Sequence, residues 1–215
     1  MKLFRLDSSI RQQGSVSREV ADTLERAWRE QHPDGTVIRR DLTVDPLPAT
    51  AWVAAATGSQ LPEDARTPHQ RAALALAAAL ADEVLSADAF VIATPLYNFG
   101  VSQHLKAWID LLVTDPRFAP GADPLAGRQV TVVLARGGGY GPGTPREGWD
   151  HATPWIRRMF ADVFGADVTL VEAELTLADV VPAMEPLRPL AAESRARAHE
   201  RAAEVGRALA SLVDA

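Results

Sequence analysis

The stretch VIATPLYNFGVSQHLKAWIDLL, Val91 to Leu112, passes from an apolar run through a polar, glycine-broken tetrapeptide into an amphipathic segment. A short run rich in β-branched and aliphatic residues, bounded by proline, reads as a strand buried on both faces. The apolar spacing that follows predicts a helix from Ser102 to about Val113. Between them Pro95 biases Thr94 toward extended backbone, and Gly100 is expected to relieve the chain after Phe99. The backbone of residues 96–99 is then expected to lie outside any sheet ladder. Free amides and carbonyls beside an aromatic ring suit the polar edge of a flat heteroaromatic ligand. Taken by themselves, Tyr97 and Phe99 read more readily as a lid over the core, and the other loops have to decide.

The strand-then-helix alternation extends in both directions. Strands are predicted at Lys2–Leu6, Thr36–Asp41, Ala89–Ala93, Gln129–Leu134 and Asp167–Val171. Helices are predicted at about Ser17–Gln31, around Trp52, from the Thr67-Pro68 cap to Ser86, at Thr153–Phe164, and at about Pro189–Val213. Short apolar strands each followed by a helix indicate an α/β fold: a doubly wound, five-stranded parallel sheet covered on both faces. With no internal repeat or linker, residues 1–215 are expected to form one domain.

Composition narrows the partners. A chain of 215 residues that is 47% hydrophobic can bury a sizeable core. A net charge of −6 argues against a nucleic-acid or anionic-membrane surface and for a small-molecule ligand. There is no cysteine, which excludes disulfides, thiolate metal sites and thiol catalysis. The longest apolar stretch, ALALAAALA, is alanine-rich and flanked by Arg71 and Asp82, so it reads as a packed helix rather than a membrane span. The opening MKLFRLDSS has no apolar signal core, and the cytoplasm is the expected location. His32, His69, His104, His151 and His199 show no metal spacing and read as surface or packing residues.

In a doubly wound sheet, ligands bind beyond the carboxyl ends of the strands. Three loops therefore matter: DSSIRQQGSVS, PLYNFGVS and ARGGGYGPGTPREG. The first carries Ser8, Ser9, Ser15 and Ser17 into a helix terminus, where hydroxyls, free amides and the helix dipole suit a phosphate monoester. Its single Gly14 does not make a dinucleotide fingerprint. Ser15 or Ser17 acting only as a helix cap fits the same residues. In the third loop Gly137, Gly138 and Gly139 allow close backbone approach, while Arg136 and Tyr140 offer a charge or donor or, alternatively, lie solvated. Lys106 reads as a solvated helix lysine.

Taken together, these residues resemble the FMN-dependent NADH:quinone oxidoreductases, or azoreductases, which have a flavodoxin-like fold. The resemblance spans nearly the whole chain. It rests on SSIxxxxSxS (Ser8, Ser9, Ile10, Ser15, Ser17), on P-x-Y-N-F with the following S-x-x-L-K (Pro95–Phe99, Ser102–Lys106), and on R-G-G. It implies that Ser9, Ser15, Val16 and Ser17 hold the FMN phosphate. It further implies that Pro95, Leu96, Tyr97, Asn98 and Phe99 line the isoalloxazine, and that Ala135, Arg136, Gly137 and Gly138 contact its other edge. Ala135 stands where a hydroxyl residue is usual, the RGG loop is extended, and around RRMFADVFG the match needs a gap, so that Met159 and Phe160 compete for the aromatic position over the ring. The implied activity is NAD(P)H-dependent reduction of quinones or azo compounds in a ping-pong cycle, with no protein nucleophile, catalytic base or metal. The alternatives are a flavodoxin-like electron carrier and a pathway-specific reductase of an aromatic metabolite. A homodimer is expected, because Trp108, Ile109, Leu111 and Leu112 on one helix, and Trp155, Ile156, Met159 and Phe160 on another, occupy more of the circumference than one sheet can cover.

Overall fold

The computed structural model describes residues 1–211. Five strands, β1 (Lys2–Asp7), β2 (Thr36–Asp41), β3 (Ala89–Tyr97), β5 (Gln129–Ala135) and β6 (Asp167–Ala173), form a parallel sheet in the order β2-β1-β3-β5-β6. A two-residue strand, β4 (Gly100–Val101), pairs antiparallel with the end of β3. Strand order reverses beside β1 and β3, so the loops leaving β1, β3 and β5 share one edge of the sheet.

Alternation along the strands sorts the core into two layers. Phe4, Leu6, Phe90, Ile92, Val130 and Val132 face α2 (Ala51–Gly58), α3 (Pro68–Leu85), α4 (Gln103–Leu112) and α5 (Ala152–Arg157). Leu3, Ala89, Val91, Ala93 and Val133 face α1 (Val16–Gln31) and α6 (Arg188–Ser211). Each Leu, Val or Phe so buried contributes about 1.5–3 kcal/mol. The Thr67 hydroxyl accepts the amide of Gln70, whose side chain accepts the amide of Thr67, a reciprocal cap that starts α3 where Thr67-Pro68 predicts it. The predicted end of α6 at Val213 lies outside the described residues. Among those residues, no helix is long and apolar enough to cross a membrane.

Three local expectations are corrected. First, β3 runs past Ala93 through Pro95, which sits in register with Ala135. The carbonyl of Ala93 accepts the amide of Ser8, so Pro95, two residues on, faces the same side, beyond the end of β1. The paired rungs of β1 and β3 end at Asp7 and Ala93, so the missing N–H of Pro95 breaks none of them. Second, residues 96–99 do not all lie outside a ladder: Leu96 pairs with Val101 and Tyr97 with Gly100. The turn is made by Asn98 (φ 49°) and Phe99 (φ 67°), not by Gly100. Two successive left-handed residues match the right-handed twist of a two-residue hairpin, and asparagine tolerates that region better than phenylalanine. Third, the predicted helix Thr153–Phe164 changes into a π-helical turn at Arg158–Val163. A π turn takes one more residue than an α turn. That is the segment where the family resemblance requires a gap.

The helix faces read as surplus apolar surface are covered by the chain itself. Trp108, Ile109, Leu111 and Leu112 are buried against the sheet, as are Ile156 and Phe160, while Trp155 and Met159 are partly buried. The expectation that these residues lie exposed is therefore overturned. Trp108 stacks on Phe4 with ring centroids 6.1 Å apart.

Candidate functional site

The loop after β1 returns to the sheet at once. Ser8 donates to the hydroxyl of Thr94 at 2.9 Å, locking the loop to β3. Gly14 (φ +63°) turns the chain so that Ser15 enters α1 in an extended conformation. If Ser15 only capped the helix, its hydroxyl would accept an amide of the first turn. It makes no such bond. Among the described residues, the hydroxyls of Ser15 and Ser17, both buried, bond only each other at 3.3 Å. The first amides of α1 have no intrahelical acceptor either. A buried cluster of uncommitted donors at a helix N-terminus, whose one first-turn acidic residue, Glu19, is paired with Arg195, fits a phosphate group.

These groups open onto a cleft whose walls come from four loops. Ser9, Arg11, Gly14, Ser15, Val16 and Ser17 form one wall and Pro95, Leu96 and Tyr97 a second. Ala135 and Gly137 form the third, and Thr176 and Leu177 the fourth. Ser9 and Tyr97 hold the first two walls together through a hydroxyl contact of 3.3 Å. Thus nine of the sequence-predicted residues, Ser9, Ser15, Val16, Ser17, Pro95, Leu96, Tyr97, Ala135 and Gly137, converge on one cavity. Thr176 and Leu177 were not anticipated. They follow β6, and the rule applied to the other loops, that ligands gather beyond the carboxyl ends of strands, points to them as well. Their loop is laced to the glycine loop: Thr176 donates its amide to the Arg136 carbonyl (3.0 Å), and Leu177 to that of Gly137 (3.2 Å). A Cβ on Gly137 would lie 2.7 Å from the Leu177 side chain, so the two loops approach more closely than any larger residue allows.

Four predicted residues lie elsewhere. Asn98 lines an adjoining cleft with Ile10, Gln103, His104, Lys106, His151 and Trp155, joined to the first through Tyr97. Phe99 is partly exposed and packs edge-on against Trp149, centroids 5.2 Å apart. Gly138 faces Arg146, whose guanidinium a Cβ would meet at 2.6 Å. Arg136 is no solvated loop arginine, being 6% exposed. It donates to Asp150 (2.7 Å), to Glu172 (2.6 Å) and to the Thr153 hydroxyl (2.8 Å), and it lies 3.5 Å from Glu174. Burial alone would lower its pKa, but the charges of Glu172 and Asp150 raise it, so the group stays cationic as a clamp behind the glycine loop. Tyr140 lies against Arg146 rather than in the cleft. Met159 and Phe160 do not border the cleft; Phe160 packs on Phe164 in the core. Lys106 is paired with Asp110 at 2.5 Å and lies over the Trp155 ring. Among the described residues, no group of His, Asp and Glu has the geometry of a metal site.

Beneath the cleft, Arg18 bonds Asp41 on β2 at 2.5 and 3.0 Å. Burial would raise the Asp41 carboxyl, yet the hydrogen bonds from Arg18 and Thr43 hold it at about 2.

Over residues 1–211 the sequence matches the family described as having a flavodoxin-like fold. It is 41% identical over 204 residues to an FMN-dependent NADH:quinone oxidoreductase of Parafrankia sp., covering 93% of this chain and 96% of that relative. An oxidoreductase of the same description from Streptomyces avermitilis is 42% identical over 210 residues, covering 97% and 96% of the two chains. The fold superposes on the crystal structure of an FMN-dependent NADH-azoreductase from Bacillus anthracis in complex with FMN with a TM-score of 0.77. That match has 20% identity and covers 98% of this chain and 99% of the other.

Proposed function

The chain belongs to the family of FMN-dependent NADH:quinone oxidoreductases, built on the flavodoxin-like fold, and on that premise we infer that it binds FMN and uses NAD(P)H to reduce quinones and azo compounds. The observation that carries the reading is the convergence, on one cleft, of the uncommitted Ser15 and Ser17 hydroxyls with residues 95–97, Ala135 and Gly137. When bound, FMN supplies the redox chemistry, taking hydride from the nicotinamide and passing it to the acceptor in a ping-pong cycle.

The residues themselves bind and orient. Ser9, Ser15, Ser17 and the amides that open α1 receive the phosphate. Pro95, Leu96 and Tyr97 present an apolar wall to a ring system, with Asn98 carrying that wall into the adjoining cleft, while Phe99 packs on Trp149. Ala135 and Gly137 leave room for close approach of a ring edge. Arg136 and Gly138 act from behind, by holding the glycine loop in place. No side chain in the cleft is asked to act as nucleophile or base. The purified protein is expected to be yellow and to release FMN, not FAD, on denaturation. A colourless protein that cannot be reconstituted with FMN refutes the reading.

The working unit is a cytoplasmic homodimer. Support comes from apolar side chains left exposed: Ile10, which lines the adjoining cleft, and Phe99, next in the chain to the cleft residue Asn98 and packed on exposed Trp149, a surface suited to a second copy. Sedimentation showing a fully active monomer at assay concentration would refute the dimer without touching the FMN assignment.

A further inference from the structure

We propose that Arg18, which does not line the cleft, is the positioning residue of its phosphate end: it sets the loop after β1 so that the loop's amides are presented before ligand arrives. The proposal rests on the inferred binding of FMN. Arg18 stands in the first turn of α1, immediately after Ser17, with only 13% of its side chain exposed. One guanidinium ties together three elements. It donates from Nη1 and Nη2 to Asp41 at the end of β2, from Nη2 to the carbonyl of Ser9 at 2.9 Å and to the hydroxyl of Thr43 at 3.1 Å, and from Nε to the carbonyl of Arg11 at 3.0 Å.

The direction of those bonds matters. In a trans peptide the N–H points opposite to the C=O of the same plane. Turning the carbonyls of Ser9 and Arg11 toward Arg18 therefore turns the amides of Ile10 and Gln12 away from it. Neither amide has a partner among the described residues. Thr43 adds a second bond to the Ser9 carbonyl at 3.3 Å and so holds the same plane. The loop is also fixed at its start, where Ser8 donates to Thr94 and the Ser9 hydroxyl meets Tyr97 and the Arg11 amide, and through the Gln12 side chain on Thr43; among the described residues, however, only Arg18 bonds the Arg11 carbonyl.

Arg18 is not itself a phosphate ligand. Its charge is matched by Asp41, and its donors are committed to loop and strand. Burial would lower its pKa, but Asp41 and Asp7 raise it, so the clamp keeps its charge throughout the working range. Its contribution is preorganisation: the entropy of ordering the loop is lost on folding rather than on binding. A lysine could keep the charge but, as a single point donor, could not bridge Asp41 and two carbonyls in fixed directions.

The test separates positioning from mere stability by changing the ligand. Apoprotein carrying Arg18→Lys or Arg18→Met is titrated with FMN and with riboflavin, which shares the ring and ribityl chain and lacks the phosphate, by quenching of flavin fluorescence. Thermal melting is recorded alongside. The FMN dissociation constant is expected to rise on the order of ten- to a hundredfold in Arg18→Met, and less in Arg18→Lys. Riboflavin affinity is expected to change by less than about threefold. Equal losses for both flavins, or unchanged FMN affinity, overturn the proposal. If Arg18→Met does not fold, the ratio of the two affinities in Arg18→Lys decides. A wild-type protein that binds neither flavin overturns the FMN reading and this proposal together, whereas a wild type that binds FMN and a variant that binds it equally well overturn the proposal alone.

Discussion

The loops after β1 and β5 leave strands on either side of β3 and meet at the same cleft, yet their polar groups are in opposite states. In the serine loop, among the described residues, the Ser15 and Ser17 hydroxyls have no partner beyond each other, and the first amides of α1 are open. In the glycine loop the polar groups are committed within the chain. Arg136 serves three carboxylates, Thr144 donates to the carbonyls of Gly139 and Gly141, and the amides of Tyr140 and Gly143 go to Glu174 and Glu147. A loop rich in glycine and arginine thus works here as a braced wall, and a loop rich in serine as the part that holds a ligand. Uncommitted donors, rather than residue type, mark the binding element.

The largest expected effect strikes the serine loop. In Ser15→Glu a carboxylate would face the bound phosphate, and two like charges about 4 Å apart repel by roughly 4 kcal/mol at an effective dielectric near 20. FMN affinity should fall on the order of a thousandfold, while apoprotein melting changes little, since an acidic residue suits a helix N-terminus. An unchanged dissociation constant would return the loop to a structural role and erase the contrast.

Arg136→Met should do the reverse. It leaves Asp150, Glu172 and Glu174 without their cation; breaking a fully buried pair on one side costs about 3 kcal/mol, and because these carboxylates are partly exposed the loss should be about 1–2 kcal/mol. Urea denaturation of the apoprotein should show that loss, with a smaller effect on FMN affinity than Ser15→Glu. Loss of FMN binding at unaltered stability would mean that Arg136 belongs to the ligand side after all.

Asp41 gives the contrast a pH axis. Its carboxyl is held at about 2 in the fold, below its ordinary value near 4. A depressed folded-state pKa contributes stability that is present above the unfolded value and lost as pH falls through the folded one. The chain should therefore weaken between about pH 4 and pH 2 by no more than about 2 kcal/mol from this group, since Asp41 is partly exposed and solvent screens the pair. Denaturation midpoints across that range should fall less steeply in Asp41→Asn, and parallel slopes would remove Asp41 from the account.

The smallest effect separates two glycines. Gly14→Ala meets no neighbour, but φ of +63° imposes a strain of about 1 kcal/mol on a residue with a Cβ. Gly138→Ala has no such backbone constraint; its Cβ would meet the flexible end of Arg146, which can move aside. Melting temperatures should rank Gly14→Ala below Gly138→Ala, and the opposite order would place the strain in the wrong loop.

Much of the fold was legible along the chain. Five apolar runs, the Thr67-Pro68 cap and the Ser102 helix start are local signals, because side chains two apart on a strand or four apart on a helix share a face. The serine loop, Pro95–Tyr97 and the glycine loop were placed at one site by the rule for strand ends. Thr176 and Leu177 were missed because the loop after β6 carries no motif of its own. The hairpin at Asn98-Phe99 was missed because two left-handed residues without a glycine carry no turn signal.

What the sequence by itself determined was the order of strands and helices, the loops that would meet, and the pattern shared with a flavin-binding family. Those follow from periodicity and short-range capping, which need only neighbours in the chain. Only the tertiary structure decided which polar groups are committed. Arg18 follows a motif serine and Arg136 opens the R-G-G motif, and neither can be told along the chain from a solvated arginine until its partners arrive: Asp41, 23 residues on, and Glu172, 36 residues on. The same holds for Trp108 and Ile156, whose burial depends on which helices lie against the sheet. Pairing and burial are set by contacts between segments distant in sequence, and no local period encodes them.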